Sequence, residues 1–179
     1  MPKIAFMTIG ILHEPLGGDR VQGFFDRVPA VFESAETSEG FVDRSVRDPI
    51  SRQNSWGKLV VPQCYSHIED PALLPSTLSI WDDLESVAAF AYHGHHGEAM
   101  SRRREWFTGH DHPTYVAWWV EDNTPLNWEV ASERLDHLNQ HGPTAYAFDF
   151  KAPFDAHGNP APLNRESVRL KVAANALTG

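Results

Sequence analysis

The stretch T-L-S-I-W-D-D-L-E-S-V-A-A-F-A-Y-H-G-H-H-G-E-A-M-S-R-R-R-E-W-F, from Thr77 to Phe107, decides how the chain is read. It opens with alternating Leu78 and Ile80, then Trp81, and changes at Asp82 and Asp83 to helical spacing, the pattern of a strand running into a helix. Steps of three and four place Leu84, Ala88, Tyr92, His96, Ala99, Arg103 and Trp106 on one face. That face is apolar except for one imidazole and one guanidinium, so His96 and Arg103 are the first candidate catalytic residues.

Outward from this centre, Lys3 to Leu12 read as a first strand, closed by His13-Glu14-Pro15 and a Gly pair. Val21 to Ser38 carry Phe24, Phe25, Val28, Val31, Phe32 and Ala35 at helical spacing, with Pro29 expected to kink the helix and Gly40 to close it. Phe41 to Arg47 alternate as a strand. Residues 50–76 lose periodicity around Pro62, Pro71 and Pro75; such a segment is either a functional loop or a packed surface insertion, and an irregular packed insertion is expected, with Trp56 and His67 as its residues of interest. T-Y-V-A-W-W-V-E, Thr114 to Glu121, is an aromatic strand that places Val116, Trp118 and Val120 on one side. Pro125 opens a helix with a Val130, Ala131, Leu135 and Leu138 stripe, stopped by Gly142-Pro143. Ala145 to Lys151 read as a last strand, and residues 155–179 as a polar surface tail with a weak helical signal from Glu166 to Leu177.

Two strand-helix-strand units with helices on one face of an antiparallel sheet make an α+β sandwich of ferredoxin-like type, here residues 1–154. No segment remains in this reading to cover the second sheet face. A second copy of the chain is therefore expected there, as a homodimer.

The composition narrows the function classes. With 179 residues, 41% hydrophobic and 22% charged, the chain is expected to form one domain with its own core. A net charge of −9 argues against sequence-independent binding to nucleic acid or an anionic membrane. Cys64 is the only cysteine, so no intrachain disulfide forms, and a cytoplasmic location is expected. No run approaches the roughly 20 apolar residues of a membrane helix.

Ten histidines invite a metal reading. His93 with His96, and His137 with His141, share helix faces, but neither pair brings the further ligands that a closed site requires, so no metal is expected. His137 and His141 are expected to pack the end of their helix, and His110 and His112 to be solvated. His96 and Arg103 have two readings. They are either a polar pair satisfying structural partners, or a proton shuttle and an oxyanion holder in a pocket walled by Trp81, Tyr92, Trp106 and Trp118. Gly94 and Gly97, each costing about 1 kcal/mol inside a helix, mark either a helix end or a close approach. Nucleophile-elbow, phosphate-loop and dinucleotide patterns are missing.

S-I-W-D-D-L-E-S-V-A-A-F-A-Y at Ser79 to Tyr92, H-G-E-A-M-S-R-R-R-E-W-F at His96 to Phe107, Y-V-A-W-W-V at Tyr115 to Val120 and H-G-P-T-A-Y-A-F-D-F at His141 to Phe150 resemble an uncharacterised domain-of-unknown-function family. That family is similar to the antibiotic biosynthesis monooxygenases of the dimeric α+β barrel superfamily. The resemblance implies a monooxygenase-like oxidoreductase acting on an aromatic or polyketide-like substrate without a cofactor. A haem protein is the alternative: Met100 follows Glu98-Ala99 where haem-degrading relatives place the ligating His, so the usual ligand is missing, but His96, one turn earlier on the same face, is in a position to be the axial ligand. A non-catalytic small-molecule binding protein is the other.

Overall fold

A computed structural model describes residues 1–122 and 124–177. Asn123, Thr178 and Gly179 lie outside the described residues. Four strands form one antiparallel open sheet: β1 (Lys3–Ile9), β2 (Phe41–Arg44), β3 (Ser76–Trp81) and β4 (Tyr115–Val120). Their order is β2-β3-β1-β4. Central β1 pairs Ile4 with Trp81 on one side and with Trp119 on the other, so nearly all of its residues are buried. In place of the expected last strand from Ala145 to Lys151 there are isolated bridges: Ala147 pairs locally with Thr144, and Ala117 and Phe148 exchange backbone hydrogen bonds of 2.8 and 2.9 Å at the β4 edge.

The helices are α1 (Gln22–Phe25), α2 (Val28–Glu36), α3 (Leu84–Tyr92), α4 (Gly94–Ser101), α5 (Arg103–Trp106), α6 (Trp128–His141) and α7 (Arg165–Asn175). Pro29 does not kink a continuous helix. The break lies at Asp26 and Arg27, and Pro29 stands in the first turn of α2, where its missing N–H costs nothing. Asp83 caps α3 by accepting from Ser86 N at 2.7 Å, and Asn127 caps α6 by accepting from Val130 N at 2.8 Å. Gly142, with φ +71°, ends α6. The tail does not fray either: Asn164 caps α7, which packs along α3, while Lys171 bridges Glu39 at 3.1 Å and Asp83 at 3.3 Å.

The expectation of helices on one face only is not met. Ala5, Met7, Leu78, Val116 and Trp118 pack beneath Ala131, Leu135 and Leu138 of α6, together with Tyr65, Leu74 and half-buried Trp56, Leu59 and Ile68 of the irregular segment. Ile4, Phe6, Trp81 and Ala117 pack on the opposite face against Ala35 of α2, Leu84 and Val87 of α3, and Phe148. Residues 50–76 thus contribute Tyr65, Leu74 and several half-buried side chains to the covering layer of one sheet face. Pattern reading missed this because the segment buries its apolar groups through two 3₁₀ turns, Gln63–Tyr65 and Pro71–Leu73, which carry no helical or strand period. With both faces covered, the bare face from which a second copy was expected is not there. Among the described residues, no helix is long and apolar enough to cross a membrane.

Candidate functional site

The helical face that the sequence singles out is broken into three pieces. His93 is extended at φ −131° and ψ 170°, and Gly94 has φ +55°, so α3 stops and α4 starts in a new direction. A Cβ on Gly97 would lie 2.7 Å from the Tyr92 carbonyl oxygen, so the glycine permits close backbone contact at this helix junction. His96 Nδ1 lies 2.7 Å from the carbonyl of Ala91, one of the acceptors that the end of α3 leaves unpaired, and its ring packs 4.7 Å from that of Phe90. Burial holds its pKa below the usual imidazole value. Arg103 is exposed and donates to the Met100 carbonyl of its own turn at 3.0 Å. Each of the two groups therefore has a backbone carbonyl as its partner.

The expected wall residues separate as well. Trp81 is buried beside Phe41 and Phe90, with Nε1 donating to Ser79 Oγ at 2.9 Å. Trp106 is buried with Phe24 under the guanidinium groups of Arg27 and Arg102. Trp118 lies in the α6 layer near Arg134, and Tyr92 is 53% exposed on the outside. Trp81, Trp106 and Trp118 belong to three different clusters. They are core residues rather than the lining of one pocket.

A different constellation forms where the irregular segment meets the loop before β4. Asp136 of α6 accepts from the backbone N–H of Gln63 at 2.7 Å and of Cys64 at 3.0 Å, which docks the 3₁₀ turn and drives Tyr65 fully into the core. The Tyr65 hydroxyl donates to the Pro113 carbonyl at 2.9 Å and lies 3.4 Å from His110 Nε2. Around this phenol stand three imidazoles: His110 and His112, with ring centres 5.3 and 5.7 Å from Tyr65, and His67, 5.6 Å from His112. His110 is half-buried, not solvated, and burial first, then the neighbouring His112 and His67, push its pKa down. Burial first, and then the nearby Asp136, push the Cys64 thiol up to about 12, which favours the protonated thiol over the thiolate at neutral pH.

His112 also lines a cleft of about 320 Å³ between this loop, the end of α6 and the turn after Phe148. Asp111, Asp149 and Lys151 bring charge of both signs to it, and Tyr115, Leu138 and Pro143 bring apolar surface. Burial keeps the Tyr115 phenol protonated far above its usual range, and its oxygen accepts from Phe150 N at 3.3 Å. A larger groove of about 490 Å³ at the β2 edge has Asp43 as its one ionisable lining side chain, and is chemically poorer. His137 and His141 do pack the end of α6 as expected, with rings 4.6 Å apart and His137 Nε2 2.9 Å from Thr144 Oγ1. In the sequence, the signal for the missed constellation was H-D-H at His110 to His112. Its third imidazole, His67, lies more than forty residues away in a segment without periodicity.

Comparison with curated proteins finds no match to this chain. A family model described as Domain of unknown function (DUF3291) matches residues 3–164, nearly the whole folded region. The family reading from the motifs thus stands at the level of an uncharacterised family, and the chain belongs to it.

Proposed function

We propose that this chain is a small-molecule enzyme of ferredoxin-like architecture, monooxygenase-like in class, whose aromatic or polyketide-like substrate enters the cleft lined by His112, Tyr115 and Lys151. The strand order β2-β3-β1-β4 with helices between β1 and β2 and between β3 and β4 supports the architecture. The observation that carries the site is the cleft itself: an imidazole, two carboxylates and an ammonium converge on a partly apolar wall, the mixture of binding surface and proton-transfer groups that an active site needs. Lys151 donates to a substrate oxygen and stabilises negative charge that develops on it. The Tyr115 ring and Pro143 give an aromatic substrate a surface to lie on. The face of α3 to α5 offers no comparable mixture, since His96 and Arg103 are committed to carbonyls.

The test is a screen of hydroxylated aromatic and polyketide-like compounds for oxygen consumption or absorbance change with the purified chain. For any compound turned over, Lys151→Ala and Tyr115→Leu lower kcat/KM at least ten-fold with unchanged circular dichroism. Turnover insensitive to both variants and abolished by His96→Ala contradicts the reading and restores the helix face as the site.

A further inference from the structure

We propose that His110 is a proton-operated latch: when its imidazole takes up a second proton, the loop from Gly109 to Pro113 comes away from Tyr65, and the wall that this loop gives the cleft opens. The loop has fixed ends. At one end Thr108 N donates to the Ile11 carbonyl at 2.8 Å, and at the other Ile9 N donates to the Thr114 carbonyl at 2.9 Å. Between them the loop is held by the Tyr65 hydroxyl, which donates to the Pro113 carbonyl at 2.9 Å, and by His112 Nδ1, 3.2 Å from Asn139 Oδ1. Asp111, His112 and Pro113 line the cleft, so a displacement of this loop alters the cleft directly.

The hydrogen bonds at Tyr65 make His110 sensitive to a second proton. Tyr65 is fully buried and commits its one hydroxyl proton to Pro113, so His110 Nε2, 3.4 Å from the same oxygen, is the donor in that contact. The neutral ring therefore carries its lone pair on Nδ1, which is buried without a hydrogen-bond partner. A second proton turns that atom into a charged donor shut off from solvent and from any acceptor, a less favourable state than a bare lone pair. The neighbours act in the same direction. Within the loop, His112 stands 5.9 Å away by ring centre; from the irregular segment, the Tyr65 ring stands edge-on at 5.3 Å, and His67 lies 5.6 Å from His112. From α6, Asn139 faces His112, and Asp136 is occupied by the backbone N–H groups of Gln63 and Cys64. Asp149 and Lys151 share the cleft with His112. Burial, His112 and His67 hold the His110 pKa below its ordinary value, against the opposite pull of Asp111 and of a backbone hydrogen bond with His112. Displacing the loop returns His110 to solvent and to a pKa near 6.5. The closed loop is therefore fully favoured above that value, and loses its advantage as pH falls from there through the lower value of the closed state.

Opening is measured without substrate, so it stands apart from the catalytic reading of the cleft. The full chain, ¹⁵N-labelled, is followed by backbone relaxation and by the His110 imidazole resonances from pH 7.5 to 5. Order parameters of residues 110–112 are expected to fall from about 0.85 to below about 0.6, with a midpoint matching the His110 titration, while β1 and β3 stay rigid. His110→Gln keeps a side-chain N–H for the Tyr65 oxygen but takes up no proton, and its loop is expected to stay ordered at pH 5. Should His110→Gln loosen the loop at every pH, the midpoint match in the parent chain decides. Three results overturn the proposal: a parent loop that stays ordered down to pH 5, loosening out of step with the His110 titration, or the same acid loosening in His110→Gln.

Discussion

The α3 to α5 stretch and the irregular 50–76 segment exchange the roles that their sequences advertise. The first has the regular spacing and the conspicuous His96 and Arg103, yet each of these groups bonds a backbone carbonyl within its own stretch of chain. The second has no period, yet it contributes fully buried Tyr65 and nearly buried Leu74 to the layer over the sheet and carries His67 to two further imidazoles. Periodicity reports which local face is apolar. It does not report which polar groups come together, because that depends on where long loops dock.

The largest effect that would sharpen this contrast is expected at Tyr65. Replacing it with Ala empties a fully buried aromatic site under the sheet, and urea unfolding is expected to show a loss of about 3–5 kcal/mol. Tyr65→Phe keeps the ring but removes the bond to Pro113 and the contact with His110 Nε2, and is expected to cost about 1–2 kcal/mol. A cost for Tyr65→Ala as small as that of Tyr65→Phe would mean that the segment is surface after all.

His96→Ala comes next, at about 1–3 kcal/mol, because it leaves the Ala91 carbonyl without its partner at a helix junction. Its pH signature has a definite sign. Folding lowers the His96 pKa below 6.5, so the unfolded chain binds the proton more tightly. The stability that neutral His96 contributes is full above 6.5 and falls as pH drops through the window between the unfolded and folded values. Unfolding midpoints from pH 7.5 to 5 are expected to decline less steeply in His96→Ala than in the parent chain. An equal slope would take His96 out of the acid sensitivity.

Arg103→Ala is expected to change stability by less than about 0.5 kcal/mol, since the side chain is exposed and bonds only its own turn. A loss above 2 kcal/mol would indicate a buried partner and reopen the helix-face reading.

Much of the fold was legible. β1, β3, β4, α3 and α6 follow from alternation, helical spacing and caps such as Asp83 and Asn127, because these signals are local. The tail helix was visible as a weak signal from Glu166 onward, but its attachment through Lys171 to Glu39 and Asp83 joins residues remote in sequence. The single central helix dissolved for a local reason, the positive φ at Gly94. Of the candidate site residues, Trp118 lies in the same layer as Tyr65, but as packing. His110 and His112 looked like solvated loop residues because nothing nearby in sequence reveals that Tyr65 reaches the Pro113 carbonyl beside them.

The most direct test of the central claim, that ligands meet the chain at the cleft and not along α3 to α5, is a ¹⁵N-resolved titration with a panel of small hydroxylated aromatic acids. Saturable shifts are predicted at Thr114, Tyr115, Gly142 and Lys151, with residues 92–103 unmoved. Saturable shifts centred on Tyr92, His96 and Arg103, with the cleft silent, would contradict it.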